Sequence, residues 1–481
     1  MPSLQNNVSK GILWSAVDVS LRQGSQFAVL IVMARILSPE DFGVMALLAL
    51  FAGLANVFVD GGFGSALIQR QNVTRTDEST VFFFNLAMGF SALVALCVLA
   101  PYLARLFDKP ILRPLTYAMA ANVFIGAFGA IHTTLLTKEL NLKLIARIGG
   151  IASAVSGALA IGLALEGFGP WSLALQVVAA NAVSTLLLWH WHAWRPLWTF
   201  SFSSLRSYFR FGGYLLIVAL ADLLHTHLYS LLIGKFYQVR EVGFYDRAQK
   251  TQSLPVNFIM LVINRVAFSA FSTLAEDRER LSRAFRKAQR LVLFVNTPLS
   301  ILTIVLAEPI VLALFGEKWL PSAPLLQVLG IAGLLWPMHI LNTNVLKAQG
   351  RSDLFFNIML VKKSVAIGLT VWGSFYGIIA IAWAQVAASV FALAVNAYYS
   401  KIFLNYGVFR QLQDLLPSLT AGALAGAAAW LQSQHSGFSC YADLALGTFL
   451  AGLVYLLLAR LLDVNTLTEF TGLFKKRSLQ H

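Results

Sequence analysis

About fourteen runs of mostly apolar residues follow one another along the 481-residue chain, separated by short polar connections. Each run has about twenty residues, the length at which one α-helix crosses the hydrocarbon core of a bilayer. Of the residues, 58% are hydrophobic and only 12% are charged, whereas a soluble domain carries about 25% charged residues. The sequence therefore predicts an all-α integral membrane protein with about 14 transmembrane helices. The predicted spans are 11–36, 43–67, 79–104, 112–136, 147–165, 170–193, 211–234, 244–272, 291–315, 322–346, 354–375, 377–404, 414–432 and 442–462.

The first half of the chain is repeated in the second half, about 200 residues later. Residues 241–243 (EVG) correspond to 41–43 (DFG), and Gly377 with Gln385 corresponds to Gly169 with Gln176. Six spans per repeat is an even number, so both repeats insert with the same orientation, related by a pseudo-twofold axis along the membrane normal. We predict two six-helix lobes, 1–195 and 196–405, and two additional C-terminal helices with a cytoplasmic tail in 406–481.

The distribution of basic residues predicts the orientation of the chain. Lys and Arg are more frequent in the termini and the even-numbered loops than in the odd-numbered loops, which places both termini in the cytoplasm. The formal net charge of +14 is then explained by basic cytoplasmic loops rather than by nucleic-acid binding. The mixed-charge run 275–290 is predicted to form one interfacial amphipathic helix. Two lobes facing each other are typical of transporters that work by alternating access, with the binding site at the lobe interface.

Charged residues are costly inside a bilayer, about 2.5–3.5 kcal/mol at a helix centre, so those in the spans are the candidates for function. Arg22 lies on a polar stripe of the first span, which predicts either a cavity wall or a pair with Asp18, four residues away. Arg265 has no acid within helical reach on its own span, so its partner must come from another helix or from a substrate. The predicted substrate-binding residues of a cationic cleft are Arg22, Arg265, Lys362, Lys363, Asn257 and Asn264.

A second group of intramembrane residues is predicted for energy coupling. Asp222 and His225 share one face of the seventh span with Thr226 and Tyr229, which suits either a proton relay or a polar contact between lobes. The candidates for coupling are Asp18, Asp60, Asp222 and His225.

Several signatures of enzymes are absent from the sequence. It has no Walker A motif, no H-E-x-x-H motif, and no Cys/His cluster, since its only cysteines are Cys97 and Cys440. Its loops are also too short to contain a catalytic domain. We therefore predict a protein that is not an enzyme and that uses no cofactor or metal.

Five segments carry a resemblance to a known family: 37–43 (LSPEDFG), 58–70 (FVDGGFGSALIQR), 167–176 (GFGPWSLALQ), 231–249 (LLIGKF to EVGFYDRAQ) and 314–329 (LFGEKWLPSAPLLQVL). In this order they resemble the polysaccharide translocases, the Wzx-type flippases of O-antigen, colanic acid and exopolysaccharide, in the multidrug/oligosaccharidyl-lipid/polysaccharide exporter superfamily. Arg265 matches an arginine common in that group. Where the group often has Asp, this chain has Tyr229, which puts acid-dependent coupling at that helix in doubt.

The resemblance implies a flippase of the bacterial inner membrane. Its substrate would be an oligosaccharide repeat unit linked to undecaprenyl pyrophosphate, moved to the periplasmic leaflet for lipopolysaccharide O-antigen, exopolysaccharide or colanic-acid-like synthesis. A polymerase and a chain-length regulator are implied as partners, besides the membrane lipids. The alternatives left open are a cation-coupled multidrug-type antiporter, a lipid II flippase and, from another class, a membrane glycan polymerase or ligase.

Overall fold

The computed structural model describes residues 24–274, 276–349, 351–435, 439–462 and 466–469, without the side chains of 210–212, 214–215, 257–270, 272 and 352–353. All regular elements of these residues are helical. They are α1 Gly24–Ile36, α2 Pro39–Asp60, α3 Phe63–Gln69, α4 Arg75–Leu106, α5 Leu112–Lys138, α6 Leu142–Leu165, α7 Pro170–Trp191, α8 Phe202–Phe236, α9 Val239–Thr273, α10 Arg278–Val305, α11 Ala307–Phe315, a 3-10 helix Glu317–Ser322, α12 Ala323–Ala348, α13 Ser352–Gly373, α14 Ile378–Leu404, α15 Val408–His435 and α16 Cys440–Leu462.

Within the described residues, 11 helical segments are long and apolar enough to cross a membrane. The chain is therefore a multi-pass membrane protein. Three further helices overlap predicted spans without meeting that criterion: α1 is described over too short a length, and α9 and α15 begin with charged and amide side chains. The number of fourteen spans and the pseudo-twofold symmetry stay predictions.

The helices divide into two compact units, Met1–Gly243 and Phe244–His481. In the first unit α5 packs against α4 and α7, and an aromatic core that includes Phe63, Phe82 and Trp194 lies where α3, α4 and α5 meet. In the second unit α12 packs against α10 and α14, and α15 packs against α10 and α16. Ala421, Ala425 and Gly426 allow this close approach of α15, because small residues bring helix backbones together in lipid. The lobe boundaries drawn from the sequence stay predictions.

Residues 278–290 of the mixed-charge run are helical, but they form the first turns of the longer helix α10 rather than a helix of their own. α10 begins after Asp277, whose side chain accepts a hydrogen bond from the backbone N–H of Arg280. An interfacial position of these turns stays a prediction. Leu281, Phe285 and Gln289 are buried at four-residue spacing, and this buried stripe continues into the apolar part of the helix. The crossing helix is thus Arg278–Val305 rather than 291–315, and the chain breaks at Leu306 before α11.

Repeated glycines stand at helix starts. Gly169 and Gly377 immediately precede α7 and α14 with φ of +53° and +114°, a region that favours glycine.

In the first unit, the first turns of α2 and α9 approach each other: a Cβ at Gly43 would lie 1.9 Å from the Val239 carbonyl oxygen, and one at Gly243 would lie 2.0 Å from the Pro39 carbonyl oxygen. Only glycine fits at either position, which explains its recurrence in the repeat.

Candidate functional site

Several residues predicted for the substrate site lie outside the described part of the chain. Arg22 and Asp18 fall in residues 1–23. Asn257, Asn264 and Arg265 lie on α9, where the backbone is helical but the side chains are not described. Their roles in binding and coupling stay predictions.

Lys362 is the predicted cavity residue with the most clearly defined surroundings. It lies on α13, ten residues after Ser352, so about 15 Å from the start of the helix. Its Nζ donates a hydrogen bond to Oδ1 of Asn396 on α14, at 2.9 Å. Lys363 follows it and is half-buried. The structure thus places a cation deep within the second unit, with an amide as its described hydrogen-bond partner.

A histidine on α12 belongs to the same region. His339 Nε2 lies 2.8 Å from the Ser389 hydroxyl of α14. His339 was not predicted as a site residue, because a single histidine in an apolar run carries no signal of its neighbour on another helix.

Asp60, predicted for coupling, stands at a helix break. α2 ends at Asp60, and Gly61 and Gly62 then adopt φ of +53° and +74° before α3 begins. Asp60 Oδ1 lies beside Gly64 in the first turn of α3, 3.0 Å from where a Cβ on Gly64 would stand. The helix is therefore broken directly after Asp60, while a coupling role for Asp60 stays a prediction.

Asp222 and His225 lie on α8, as predicted, within one continuous helix. Asp222 and Thr226 are exposed on the protein surface, His225 is half-buried and Tyr229 is buried. The Thr226 hydroxyl donates to the Asp222 carbonyl oxygen, an ordinary bond within the helix. Their participation in a proton relay stays a prediction.

A polar network in the second unit was not predicted from the sequence. The Asp414 carboxylate, on α15, accepts hydrogen bonds from Nε and Nη2 of Arg286 at 2.6 and 2.8 Å, from Arg290 at 2.5 Å, and from the Tyr406 hydroxyl. Burial raises the pKa of Tyr406. Asn342, Gln411 and Ser400 continue the network through hydrogen bonds of 2.5–3.0 Å. The sequence marks Asp414 only as the first residue of the predicted span 414–432, although a carboxylate there can neutralise two arginines.

Two segments of the recognised motifs meet in the second unit. The Arg247 guanidinium lies 5.5 Å from the ring centroid of Trp319 and 5.6 Å from that of Phe315, within cation–π distance. Arg247 and Trp319 are 1% and 0% exposed. The 245–249 and 315–319 motifs therefore form one buried structural contact.

A pocket with an almost entirely apolar lining also lies in the second unit. It has a volume of about 310 Å³ and lies between α10, α15 and α16, where Gly422, Gly426 and Gly452 contribute to its wall. Its lining has two polar side chains, Thr448 and Tyr455. The Tyr455 hydroxyl donates a hydrogen bond to the Phe294 carbonyl oxygen. Such a surface suits a hydrocarbon chain. In the described part of the chain, His, Cys, Asp and Glu side chains form no group of three or more that could hold a metal ion.

Comparison with known proteins gives consistent matches. The profile of the family described as polysaccharide biosynthesis protein matches residues 32–324. The chain is 26% identical to the teichuronic acid biosynthesis protein TuaB of Bacillus subtilis (strain 168), over 95% of this chain and 96% of TuaB. It is 27% identical to the lipopolysaccharide biosynthesis protein WzxC of Escherichia coli (strain K12), over 77% and 76%. It is 26% identical to the succinoglycan biosynthesis transport protein ExoT of Rhizobium meliloti (strain 1021), over 84% and 80%.

Among solved structures, the fold is similar to that of the lipid II flippase MurJ in an inward closed conformation. The TM-score is 0.77 at 14% identity, covering 94% of this chain and 98% of MurJ. It is also similar to an inward-facing multidrug resistance MATE family transporter of the MOP superfamily, with a TM-score of 0.63 at 17% identity, covering 81% and 98%. At these identities the likeness concerns the fold alone.

Proposed function

The chain belongs to the polysaccharide biosynthesis protein family, a family of polysaccharide exporters in the MOP superfamily, and from this premise we propose that it is a lipid-linked oligosaccharide flippase. Its substrate would be an oligosaccharide repeat unit on undecaprenyl pyrophosphate, translocated by alternating access through a cationic cleft. The destination would be a surface polysaccharide such as lipopolysaccharide O-antigen, exopolysaccharide or a colanic-acid-like polymer. We place it in the bacterial inner membrane with both termini in the cytoplasm.

The observation that carries this proposal is the similarity, over most of the chain, to proteins named for three different surface polysaccharides. What those three products share is a hydrophilic glycan that must cross a membrane. A transporter specific for one small molecule would not have relatives distributed in this way. The fold, shared with a lipid II flippase, is compatible with a lipid-linked glycan as cargo.

The charge of the predicted lining supports an anionic substrate. A pyrophosphate group favours arginine and lysine, since charge-assisted hydrogen bonds to phosphate are strong. We propose that the substrate-binding residues are Arg22, Arg265, Lys362, Lys363, Asn257 and Asn264, and that Asp18, Asp60, Asp222 and His225 are the candidates for coupling. The apolar groove between α10, α15 and α16 would hold part of the polyprenyl chain.

Two other transport functions are compatible with the fold. A cation-coupled multidrug antiporter would need an anionic lumen for organic cations, and the half-buried Lys362 argues against that. A lipid II flippase would share a cationic lumen, but it would be essential for growth. We propose no catalytic activity for the chain, and we expect a polymerase and a chain-length regulator to act on its product.

The deciding experiment is mass spectrometry of the polyprenyl-phosphate lipids that accumulate when this chain is deleted. We expect undecaprenyl pyrophosphate carrying one repeat unit, retained in the cytoplasmic leaflet, which would also identify the sugar. Re-expression of the chain should restore the normal lipid pool. An unchanged lipid pool with intact surface polysaccharide would reject the flippase and favour the antiporter, and accumulated lipid II would favour the peptidoglycan substrate. Glycan polymerisation by the purified protein would instead establish an enzyme.

A further inference from the structure

The connection from α7 to α8, residues 192–201, lies along the first turns of α4. The backbone N–H of Leu197 donates to the Ser79 hydroxyl at 2.9 Å, and that of Ser201 donates to the Thr80 hydroxyl at 3.1 Å. Both hydroxyls belong to α4 and lie at the start of the predicted span 79–104. The connection is therefore held at the level where α4 is predicted to enter the bilayer.

Large aromatic side chains are exposed along this connection and on the first two turns of α8. Trp198 is 93% exposed and Phe202 is 79% exposed, and Phe200 and Phe209 are exposed as well. The ring centroids of Trp198 and Phe83 lie 5.7 Å apart, which places the indole beside the predicted span of α4. Apolar surface is unfavourable in water, and a group of exposed apolar side chains marks an interaction surface.

The first turns of α8 expose two different faces. One face consists of Phe202, Arg206 and Phe209, which lie on one side of the helix because they are three and four residues apart. The other consists of Ser203 and Ser207, about 100° further round the helix. The remaining side packs into the aromatic core of the first unit. Aromatic residues on one exposed face and serines on the other indicate two different surroundings, one apolar and one aqueous.

The length of α8 places these turns at the edge of the bilayer. The helix has 35 residues and is about 52 Å long, whereas the hydrocarbon core is about 30 Å thick. The predicted span 211–234 leaves Phe202 and Phe209 outside the core, at the level where amphipathic aromatic belts lie. Arg206 stands between the two rings, and a guanidinium at this level donates paired hydrogen bonds to phosphate. Rings with an arginine between them therefore fit a phospholipid better than they fit water.

We propose that Trp198, Phe200, Phe202, Arg206 and Phe209 form a docking surface for phospholipids at the headgroup boundary. The rings lie at the top of the acyl chains, and the Arg206 guanidinium binds a lipid phosphate. The predicted orientation of the chain assigns this surface to the cytoplasmic leaflet. Because the connection is hydrogen-bonded to α4, the surface anchors the first unit to that leaflet. The inference goes beyond the proposed function, since it concerns the lipids of the bilayer and not the transported glycan.

The test compares the surroundings of the two exposed faces of α8 in the full-length chain. The two native cysteines are replaced by serine, and a nitroxide label is attached to single cysteines introduced by Phe202→Cys, Phe209→Cys, Ser203→Cys and Ser207→Cys. The protein is reconstituted in vesicles of phosphatidylethanolamine and phosphatidylglycerol. Electron paramagnetic resonance then measures the accessibility of each label to oxygen, which partitions into lipid, and to a water-soluble nickel chelate. We expect oxygen to dominate at the two aromatic positions and nickel to dominate at the two serine positions.

A pair of variants tests the role of Arg206. In the chain labelled at position 202, Arg206→Glu should raise the nickel accessibility about fivefold, as expected for losing the attraction of one basic residue to the lipid surface. Ser207→Glu is the matched control, because it introduces the same carboxylate one residue further on, on the serine face. It should leave the accessibility of this label unchanged.

Equal nickel accessibility at the aromatic and serine positions would overturn the inference, because the aromatic face would then be in water and available to a protein partner. Protection of the aromatic positions from both oxygen and nickel would also overturn it, since the rings would then be buried against protein. An equal effect of Arg206→Glu and Ser207→Glu would reject the contact between Arg206 and phosphate. The comparison of the two faces decides the proposal even if Arg206→Glu does not fold.

Discussion

Replacing Asp414 by Asn should destabilise the second unit without disturbing its shape. The carboxylate is 3% exposed and accepts hydrogen bonds from Arg286, Arg290 and Tyr406, which come from α10 and from the connection before α15. The amide that replaces it is isosteric but uncharged. It can still accept from one or two donors, but it cannot neutralise two guanidinium groups.

The magnitude follows from the exposure of the partners. A hydrogen bond to a charged group contributes about 1.5–3 kcal/mol when buried, and an exposed ion pair contributes about 0–1 kcal/mol. Arg286 is 52% exposed and Arg290 is 33% exposed, so the Arg290 bond should account for most of the loss and the Arg286 bonds for little of it. We therefore expect Asp414→Asn to lower the free energy of unfolding by about 2–3 kcal/mol, and Arg286→Ala by less than about 1 kcal/mol.

The assay is equilibrium unfolding of the purified variants in mixed micelles, followed by tryptophan fluorescence. Tyr406→Phe is the matched variant that removes one hydrogen bond and no charge, and it should cost about 1 kcal/mol. If Asp414→Asn stays within about 0.5 kcal/mol of the unmodified chain, or if Arg286→Ala costs as much as Asp414→Asn, the reasoning from burial is refuted.

Three further predictions concern other parts of the chain. Gly43→Ala should reduce the yield of folded protein, since the added Cβ would lie 1.9 Å from the Val239 carbonyl oxygen. Gly162→Ala is the control and should not reduce the yield, because a Cβ at Gly162 has no atom within 4 Å. Equal yields of the two variants on size-exclusion chromatography would contradict this prediction. Burial lowers the pKa of His192, so the folded state disfavours its cation, and stability should fall as the pH drops through the ordinary histidine pKa near 6.5. Thermal unfolding between pH 8 and 5 should show this fall, and His192→Gln should flatten it. Arg265→Ala should abolish polymer export in a complementation assay while the protein stays at normal abundance. Arg265→Lys should restore export only if a positive charge is sufficient and no bidentate hydrogen bond to the substrate is needed. Full export by the Ala variant would remove Arg265 from the site.

Much of the fold could be predicted from hydropathy, because apolar runs of membrane length have few alternatives to helices. The helix break after Asp60 was also predictable, since two adjacent glycines readily adopt positive φ. The start of α10 was not. A run of alternating charges indicates an interfacial helix equally well, and only the buried stripe of Leu281 and Phe285 shows that it continues into the span.

The candidate site was less accessible to sequence reasoning. The position of Lys362 inside a span marked it as a functional candidate. Its hydrogen-bond partner Asn396 is on the next helix, and the helical periodicity of one segment does not show which residues of another helix it contacts. Asp60 was marked by the same rule, and its carboxylate lies beside Gly64 of the next helix, an arrangement that depends on the helix break. Asp414 shows the opposite error, because as the first residue of the predicted span 414–432 it is not marked as an intramembrane charge.

The contact between Arg247 and Trp319 has an evolutionary consequence. The two residues are far apart in the chain, yet the indole forms one wall of the space that buries the guanidinium. Replacing the tryptophan alone leaves the buried cation without one of its two aromatic neighbours, and replacing the arginine alone leaves the indole beside a void. Across relatives the two positions should therefore change together, and a homologue that lacks the tryptophan should also have replaced the arginine. An alignment in which the two positions vary independently would show that the aromatic contact contributes little to the fold.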